Sequence, residues 1–372
     1  MELNRREFIS ASAISAALTV LPVNSAQAKP RKLKNGIDIS WLPDVEAAGG
    51  KFFTSTGSVV DPILLMKISG ISVGRIRVWV SPQVGNGSIN RAIKLAKRLK
   101  QQGLEICLDF HLSDTWADPA HQSIPSSWSA ESLTKLKKDV SAYVGDALQK
   151  FQLAKVAPQW VQLGNEISNG FLWPLGKIDS NSAEQWSSFV AIHQAATGAL
   201  RKVAPKSKSI LHLDCGGDAD KLQWWLSTAT QYRLTDYDVL GLSFYSQWHG
   251  SLAKLQRALT TAVNVSRKPV LIAETAYPWT VRKFGSDVLD VEKSGLASLP
   301  LTEAGQASYV QKLQSIVRSL PNNSGLGIWW WEGLSRQVKT SNGSVVWNGG
   351  MGNATLVDST GHPLKSLTEL GK

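Results

Sequence analysis

Eight short apolar runs, separated by segments with helical periodicity, limit what this chain can fold into more than any other feature. Each run is rich in β-branched residues and apolar at nearly every position, which is typical of strands buried on both faces of a parallel sheet. The runs cover residues 36–41, 75–80, 105–111, 160–166, 210–214, 239–245, 269–274 and 326–332. The segments between them carry apolar residues three and four positions apart, as in Leu133, Leu136 and Val140. Strands that alternate with helices in this way predict a single (β/α)8 barrel of the TIM type.

The rival architecture is a doubly wound open sheet, which the sequence does not favour. The first run is not followed by the glycine-rich turn that binds phosphate in such folds. No internal repeat and no low-complexity linker divides the chain, so we predict one domain that spans residues 29–372. Two cysteines in 372 residues exclude a disulfide scaffold and a cysteine-rich zinc module.

The amino terminus has the features of an export signal. Paired arginines, Arg5 and Arg6, precede a mildly apolar stretch over residues 9–23, which ends in the small-residue sequence Ala26-Gln27-Ala28. This pattern predicts a twin-arginine signal over residues 1–28 that is cleaved after Ala28, and a periplasmic or extracellular mature protein. The apolar stretch is too short for a membrane anchor. The alternative is a cytosolic protein with a basic tail.

The ends of the predicted strands indicate where chemistry takes place. In a barrel of this type, active sites lie at the C-terminal ends of the strands. Polar, ionisable and aromatic residues collect there: His111, Trp116 and Asp118 at the third run, Asn165 and Glu166 at the fourth, Tyr245 and His249 at the sixth, Glu274 at the seventh and Trp331 at the eighth. Two glutamates in such positions suggest the carboxylate pair of glycoside hydrolysis, in which one neutral acid protonates the leaving oxygen. The 15 tryptophans agree with a sugar ligand, because the C–H face of a pyranose packs on an aromatic ring.

The residues around these strand ends resemble glycoside hydrolase family 53, which contains the arabinogalactan endo-β-1,4-galactanases. The fourth run and its continuation, residues 162–170 and 172–176, are similar to the family's acid/base segment. Further similar segments follow the family's order along nearly the whole mature chain: residues 36–40 with Glu46, 75–82, 108–119 with Gln122, 241–245 with 248–250, 274–278, and 299–302 with 305–306. The chain departs from the family's usual pattern at Leu112, Trp330 and Gly333.

The resemblance implies a retaining, endo-acting hydrolysis of β-1,4-galactosidic bonds in galactan and in the type I arabinogalactan side chains of pectin. It implies Glu166 as the general acid/base and Glu274 as the nucleophile. It further implies that Asn165 holds the 2-hydroxyl of the sugar, that Tyr245 hydrogen-bonds Glu274 and that Arg77 keeps Glu274 ionised. His111, Trp116, Asp118, His249 and Trp331 would shape the sugar subsites, and Glu46 would be a further subsite residue.

Structural alternatives stand beside these roles. His111 could bridge backbone groups in the barrel, Arg77 could belong to a core ion pair, and Glu46 could anchor a loop. Trp116 and Trp331 could serve packing alone. For the whole chain, the alternatives are a β-glycanase with another substrate and a catalytically silent carbohydrate-binding barrel.

No metal or other cofactor is expected. Residues 280–298 carry only scattered acidic side chains, which do not assemble the six to eight oxygens of a calcium site. The expected partner is the galactan chain, with no nucleic acid and no membrane anchor, and the protein is expected to be a monomer. The net charge of +11 comes largely from lysines on predicted outer helices, which is typical of a solvated surface; attraction to acidic pectin is the functional alternative.

Overall fold

Eight parallel strands close into a barrel in the computed structural model, which describes residues 32–83, 85–128, 132–179, 181–284, 287–289, 293, 298–339 and 350–372. The barrel strands are β1 (Gly36–Asp38), β4 (Val73–Val78), β5 (Glu105–Phe110), β6 (Trp160–Leu163), β7 (Lys208–Leu213), β8 (Val239–Phe244), β9 (Val270–Thr275) and β10 (Gly325–Trp330). Neighbours follow the chain order, and β1 closes the ring between β10 and β4. The prediction of a single (β/α)8 barrel is confirmed. Two short strands that the sequence did not indicate, β2 (Phe52–Phe53) and β3 (Val59–Val60), form an antiparallel pair outside it.

Helices lie between the strands, and the larger ones bury one apolar face and begin at side-chain caps. The larger ones are α3 (Ile89–Gln101), α4 (Leu133–Leu153), α5 (Ala183–Val203), α6 (Ala219–Gln231), α8 (Leu252–Ser266) and α9 (Glu303–Arg318). The shorter ones are α1 (Leu42–Ala47), α2 (Pro62–Ile68), α7 (Ser246–His249) and α10 (Lys365–Leu370). Ser88, Ser132 and Ser182 each accept a hydrogen bond from a backbone N–H of the first turn, which satisfies a donor that the helix itself leaves unpaired.

The barrel interior changes from apolar to polar along the strands. Successive strand residues point to opposite faces, so alternate positions enter the interior. A separate apolar cluster, which includes Val73, Trp160, Val239 and Trp329, lies toward the starts of the strands. Polar and charged side chains occupy the later inward positions and are as deeply buried: Arg75, Arg77, Asp109, Gln162, His212 and Ser243. This polar layer lies directly beneath the C-terminal rim of the barrel.

A register shift in β9 positions one strand-end residue. Leu242 on β8 pairs with Ile272, yet the next residue, Ser243, pairs with Glu274, so that one residue of β9 is skipped. Bulges of this kind re-aim side chains and are frequent beside active sites. Glu274 therefore stands opposite Ser243, at the level of the polar layer.

Residues 31–372 form one compact unit. The predicted export signal over residues 1–28 lies outside the described residues and stays a prediction. Within the described part of the chain, no helix is long and apolar enough to cross a membrane.

Candidate active site

A cavity of about 650 Å³ opens at the C-terminal ends of the barrel strands. Eight of the eleven site residues predicted from the sequence line it: Trp116, Asp118, Asn165, Glu166, Tyr245, His249, Glu274 and Trp331. They come from segments that are up to 215 positions apart in sequence (116 to 331), and the closure of the barrel brings them together. The cavity is of the size that a few sugar units require.

Glu166 enters the cavity from the turn after β6. Its backbone is left-handed (φ 50°), as is that of Gly164 (φ 89°), and this sharp turn directs the strand end into the rim. Burial raises the pKa of the Glu166 carboxyl well above its ordinary value of 4.5, and the negative charges of Glu274, Asp214 and Asp118 raise it further. Burial and these charges therefore favour the protonated form of Glu166, which is the form that a general acid requires.

Glu274 has a different electrostatic environment although it faces the same cavity. Arg75 contacts its Oε1 at 2.7 Å, and the Tyr245 hydroxyl donates a hydrogen bond to its Oε2 at 3.2 Å. Burial raises its pKa to about 7, while the Arg75 charge opposes that rise. Because the guanidinium favours the charged form of Glu274, this glutamate loses its proton before Glu166 does.

Arg75 organises the polar layer beneath the pair. Besides Glu274, it forms ion pairs with Asp38 at 3.1 Å and Asp109 at 2.9 Å, and all of these groups are buried. The side chain also lies 5.5 Å from the centre of the Trp331 ring. The Arg75 guanidinium thus forms ion pairs with three carboxylates, because its planar group carries several N–H donors.

The prediction that Arg77 keeps Glu274 ionised is wrong. Arg77 instead contacts Glu332 at 3.5 Å and Asn86 at 3.0 Å, and its guanidinium lies 3.9 Å from the centre of the Trp116 ring. Both arginines point into the barrel, because they are two positions apart on β4. They differ in depth: Arg75 is level with Cys107 of β5 and Arg77 with Asp109, one layer nearer the rim. Only the deeper arginine reaches Glu274.

Asn165 is fixed by a hydrogen-bond network that leaves part of its amide for a ligand. Its Oδ1 accepts hydrogen bonds from Arg75 and Gln162, both at 3.0 Å, and its Nδ2 donates to the carbonyl of Ala117 at 2.8 Å. Since a primary amide has two N–H groups, the bond to Ala117 leaves a second one for a ligand in the cavity that Asn165 lines. This arrangement fits the predicted contact with a sugar hydroxyl.

Three tryptophans present aromatic surface to the cavity. Trp116 and Trp331 lie 5.7 Å apart between ring centres and are inclined by 59°, on the side of the cavity that is packed against the arginines. Trp248 also lines the cavity and is 55% exposed, and its ring lies 5.2 Å from that of Tyr245, in an edge-to-face arrangement. A half-exposed aromatic face in a cavity is suited to the C–H face of a sugar.

His249 and Asp118 shape the cavity wall. The Nδ1 of His249 accepts a hydrogen bond from the backbone N–H of Tyr245 at 2.8 Å, and burial lowers the pKa of the ring, so the histidine is neutral. Asp118 accepts hydrogen bonds from the backbone N–H groups of Ala120 and His121, which closes the turn after β5.

Two other predicted subsite residues lie outside the cavity, so their predicted roles are corrected. His111 is buried: its Nδ1 accepts from the backbone N–H of Ala117 at 3.0 Å, and its Nε2 lies 3.1 Å from Asp109. It bridges the strand to the turn, as the structural alternative proposed. Glu46 lies on α1 and forms a two-point ion pair with Arg98 of α3, at 2.7 and 2.8 Å, which joins the two helices.

The sequence reasoning missed several residues of the site. Asp214 and Trp248 follow the ends of β7 and β8, so the rule that located the other candidates could have found them. Arg75, His212 and Ser243 stand inside strands, where the sequence pattern does not separate a functional polar residue from a structural one. The departures at Leu112 and Trp330 are buried outside the cavity lining.

No group of three or more His, Cys, Asp or Glu side chains within the described residues could hold a metal ion. Asp290 and Glu292, which were considered for a calcium site, lie outside the described residues.

Comparison with known proteins gives one consistent result. The sequence model of glycosyl hydrolase family 53 matches residues 34–370. A Humicola insolens protein named arabinogalactan endo-beta-1,4-galactanase is 33% identical over 308 residues, which cover 80% of this chain and 88% of that protein. The Ignisphaera aggregans GH53 catalytic domain superimposes with a TM-score of 0.84 at 30% identity, covering 91% of this chain and 95% of the other. A structure from a study of two fungal beta-1,4-galactanases gives a TM-score of 0.78 at 29% identity, covering 92% and 100%. The resemblance noted in the sequence is thereby confirmed: this chain is a glycoside hydrolase and belongs to glycosyl hydrolase family 53.

Proposed function

We propose that the protein is an endo-β-1,4-galactanase that cleaves galactan, including the type I arabinogalactan side chains of pectin, with retention of configuration. The observation that carries the proposal is the electrostatic difference between the two glutamates of the cavity. Arg75 contacts Glu274 at 2.7 Å, whereas burial and the charges of three acidic neighbours raise the pKa of Glu166 and favour its protonated form. The galactanase relatives support the choice of substrate.

In the first step, the ionised Glu274 attacks the anomeric carbon while the bond to the leaving oxygen breaks. Glu166 gives its proton to that oxygen, and a galactosyl ester of Glu274 forms. Because the ester no longer carries the negative charge of Glu274, the proton of Glu166 becomes easier to lose. Glu166 then takes a proton from water as the water attacks the anomeric carbon and the ester bond breaks. Asn165 would hold the 2-hydroxyl with its second N–H.

The test is the release of reducing ends from linear β-1,4-galactan by the mature chain, beside Glu166→Gln and Glu274→Gln and beside cellulose, mannan and xylan. Release from galactan alone, lost in both variants, is the expected result. Release of reducing ends from another glycan would change the assigned substrate and leave the proposed mechanism unchanged. Calorimetric binding of galactan without turnover of any glycan would favour a carbohydrate-binding barrel.

We also propose that the protein is exported by its twin-arginine segment and acts as a monomer. A fusion of residues 1–28 to a reporter that is active only outside the cytoplasm tests export, with Arg5→Lys/Arg6→Lys as the matched control. Retention of the unmodified fusion in the cytoplasm would contradict it, and sedimentation of the mature chain tests the oligomeric state.

A further inference from the structure

Arg77 does not reach the nucleophile, yet it lies directly against the wall of the cavity. The side chain is buried on β4 and is not among the described residues that line the cavity. Its guanidinium carbon lies 3.9 Å from the centre of the Trp116 ring, and the Trp79 and Trp41 rings are 4.7 and 5.7 Å away. Trp116 is the one of these three described tryptophans that lines the cavity.

The short distance shows that Arg77 is stacked on a face of the Trp116 ring. A group in the plane of an aromatic ring stays more than about 5 Å from the ring centre, because the ring atoms and their hydrogens intervene. At 3.9 Å the guanidinium lies over the ring, in the geometry of a cation–π contact. The surface of Trp116 that lines the cavity therefore belongs to the opposite face of the ring or to its edges.

Buried polar partners fix the Arg77 guanidinium beneath that ring. The guanidinium donates a hydrogen bond to Asn86 Oδ1 at 3.0 Å and lies 3.5 Å from Glu332 Oε1. Asn86 Nδ2 in turn donates to Asp44 Oδ2 of α1 at 2.9 Å. Three segments of the chain, namely α1, the turn after β4 and the end of β10, thus hold one side chain in place. Arg77 is therefore a rigid support for the Trp116 ring.

The aromatic neighbours of Trp116 lie further from its centre than Arg77 does. The rings of Trp79, Trp331 and His111 are 5.4, 5.7 and 6.0 Å from it and are inclined by 80, 59 and 66°. Removal of the guanidinium would leave a space against one face of the ring, and neighbouring side chains fill such a space only in part. The Trp116 ring could then tilt into that space, away from its position in the cavity wall.

We propose that Arg77 is a positioning residue that holds the Trp116 ring in the orientation in which it binds a galactosyl unit of the substrate. The inference rests on the proposed function, because it requires a sugar in the cavity. A planar guanidinium stacked on an aromatic ring restricts the tilt of that ring. A ring that is fixed before the sugar arrives binds it without the cost of ordering the side chain.

An electronic effect of the same cation would act in the opposite direction. A positive charge on one face of an aromatic ring draws electron density toward itself, so the other face attracts the C–H groups of a sugar less strongly. If this effect governed binding, removal of the Arg77 charge would lower KM on galactan. Positioning of the Trp116 ring predicts a higher KM, so the sign of the change separates the two effects.

The test is the kinetics of Arg77→Met on galactan, measured well below its melting temperature. KM is expected to rise about 5–30-fold, while kcat changes less than about threefold. Arg77→Lys keeps a positive charge near Glu332 but has no planar group to stack, so its KM should rise as well. Asn86→Ala leaves Arg77 in place and removes one of its anchors, and it should raise KM by a smaller factor. A KM that is unchanged or lower in the folded variants overturns the proposal.

Arg201→Met is the matched control for the loss of a guanidinium and its ion pairs. Arg201 lies on α5, where it pairs with Asp236 and Asp238, and it is not among the described residues that line the cavity. Its KM on galactan should stay unchanged although its stability in urea falls. An equal rise of KM in Arg201→Met and Arg77→Met would show a general effect of destabilisation and overturn the proposal.

A double-mutant cycle shows whether Arg77 acts through Trp116. Trp116→Ala should raise KM at least as much as Arg77→Met does. The double variant should have nearly the KM of Trp116→Ala, because no ring remains to be positioned. Single effects that multiply in the double variant overturn the positioning role and leave the proposed function intact. An unmodified protein that is inactive on galactan overturns both.

Discussion

Replacement of Arg75 by Met is the most informative perturbation of the active site. The substitution removes the cation that contacts Glu274 at 2.7 Å. Two unit charges about 4 Å apart interact by about 4 kcal/mol at an effective dielectric constant of about 20, equivalent to about 3 pKa units. Arginine–carboxylate pairs in proteins lower the carboxyl pKa by about 1–3 units. We therefore expect Arg75→Met to raise the pKa of Glu274 from about 7 to between about 8 and 10.

The nucleophile attacks in its ionised form, so a higher pKa of Glu274 moves the acid limb of kcat/KM to higher pH. At pH 7 the activity on galactan should fall about 5–500-fold, because about half of Glu274 is ionised there in the unmodified protein, and it should recover partly as the pH rises. The assay is reducing-end release between pH 5 and 10, at about half-unit steps.

Arg77→Met is the matched control, because Arg77 is equally buried on the same strand but contacts Glu332. Its acid limb should stay in place. Both variants should lose stability in urea, and Arg75→Met should lose more, about 3–5 kcal/mol, since three buried carboxylates lose their partner. An acid limb that is unchanged in Arg75→Met, or that moves equally in both variants, would refute the assignment of Arg75 to the nucleophile.

Three further predictions concern the cavity wall at Trp248, the general acid Glu166 and the ion pair of Glu46. Trp248→Ala should raise KM on galactan about 5–20-fold with little change in the melting temperature, because the Trp248 ring is 55% exposed. Trp331 is buried, so Trp331→Ala should lower both the activity and the melting temperature. An equal fall in melting temperature for the two variants would contradict this difference. The folded-state pKa of Glu166 lies well above 4.5, so its neutral form stabilises the fold below pH 4.5 and this contribution is lost as the pH rises through the folded-state value. Glu166→Gln should accordingly be about 1–2 kcal/mol more stable than the unmodified protein in urea at pH 9 and no more stable at pH 4, and a pH-independent difference would argue against a raised pKa. Glu46→Ala should leave KM on galactan unchanged and cost at most about 1 kcal/mol of stability, because the ion pair with Arg98 is partly exposed; an increased KM would restore Glu46 as a subsite residue.

Much of the fold could be predicted because the barrel depends on local patterns. All eight predicted strands occur, and the runs differ from the strands by a few residues at their ends. The first and fourth runs extend furthest beyond their strands, by three residues each. The fourth was predicted to reach Glu166, but β6 ends at Leu163 because the backbone then turns left-handed. The hairpin of β2 and β3 was missed, because two-residue strands carry no periodicity of their own.

The site could be predicted in part because chain order places every strand end at one rim. Sequence position alone thus placed Glu166, Glu274, Tyr245 and Trp331 around one cavity. It placed Glu46 wrongly, because an acidic residue on α1 can face either the rim or the neighbouring helix, and Arg98 decides between them.

The sequence by itself determined the alternation of strands and helices, the polar residues at the strand ends and, through its motifs, the family. Only the tertiary structure decided that Arg75 rather than Arg77 contacts Glu274, that His111 is a bridge and that His212 contacts both Asn165 and Ser243. The alternation of side chains along a strand predicts which face of the sheet each one occupies. Arg75 and Arg77 are two positions apart and occupy the same face, so this pattern does not distinguish them. Depth in the barrel and the reach of a side chain across it depend on the register and closure of eight strands, which no local stretch of sequence specifies.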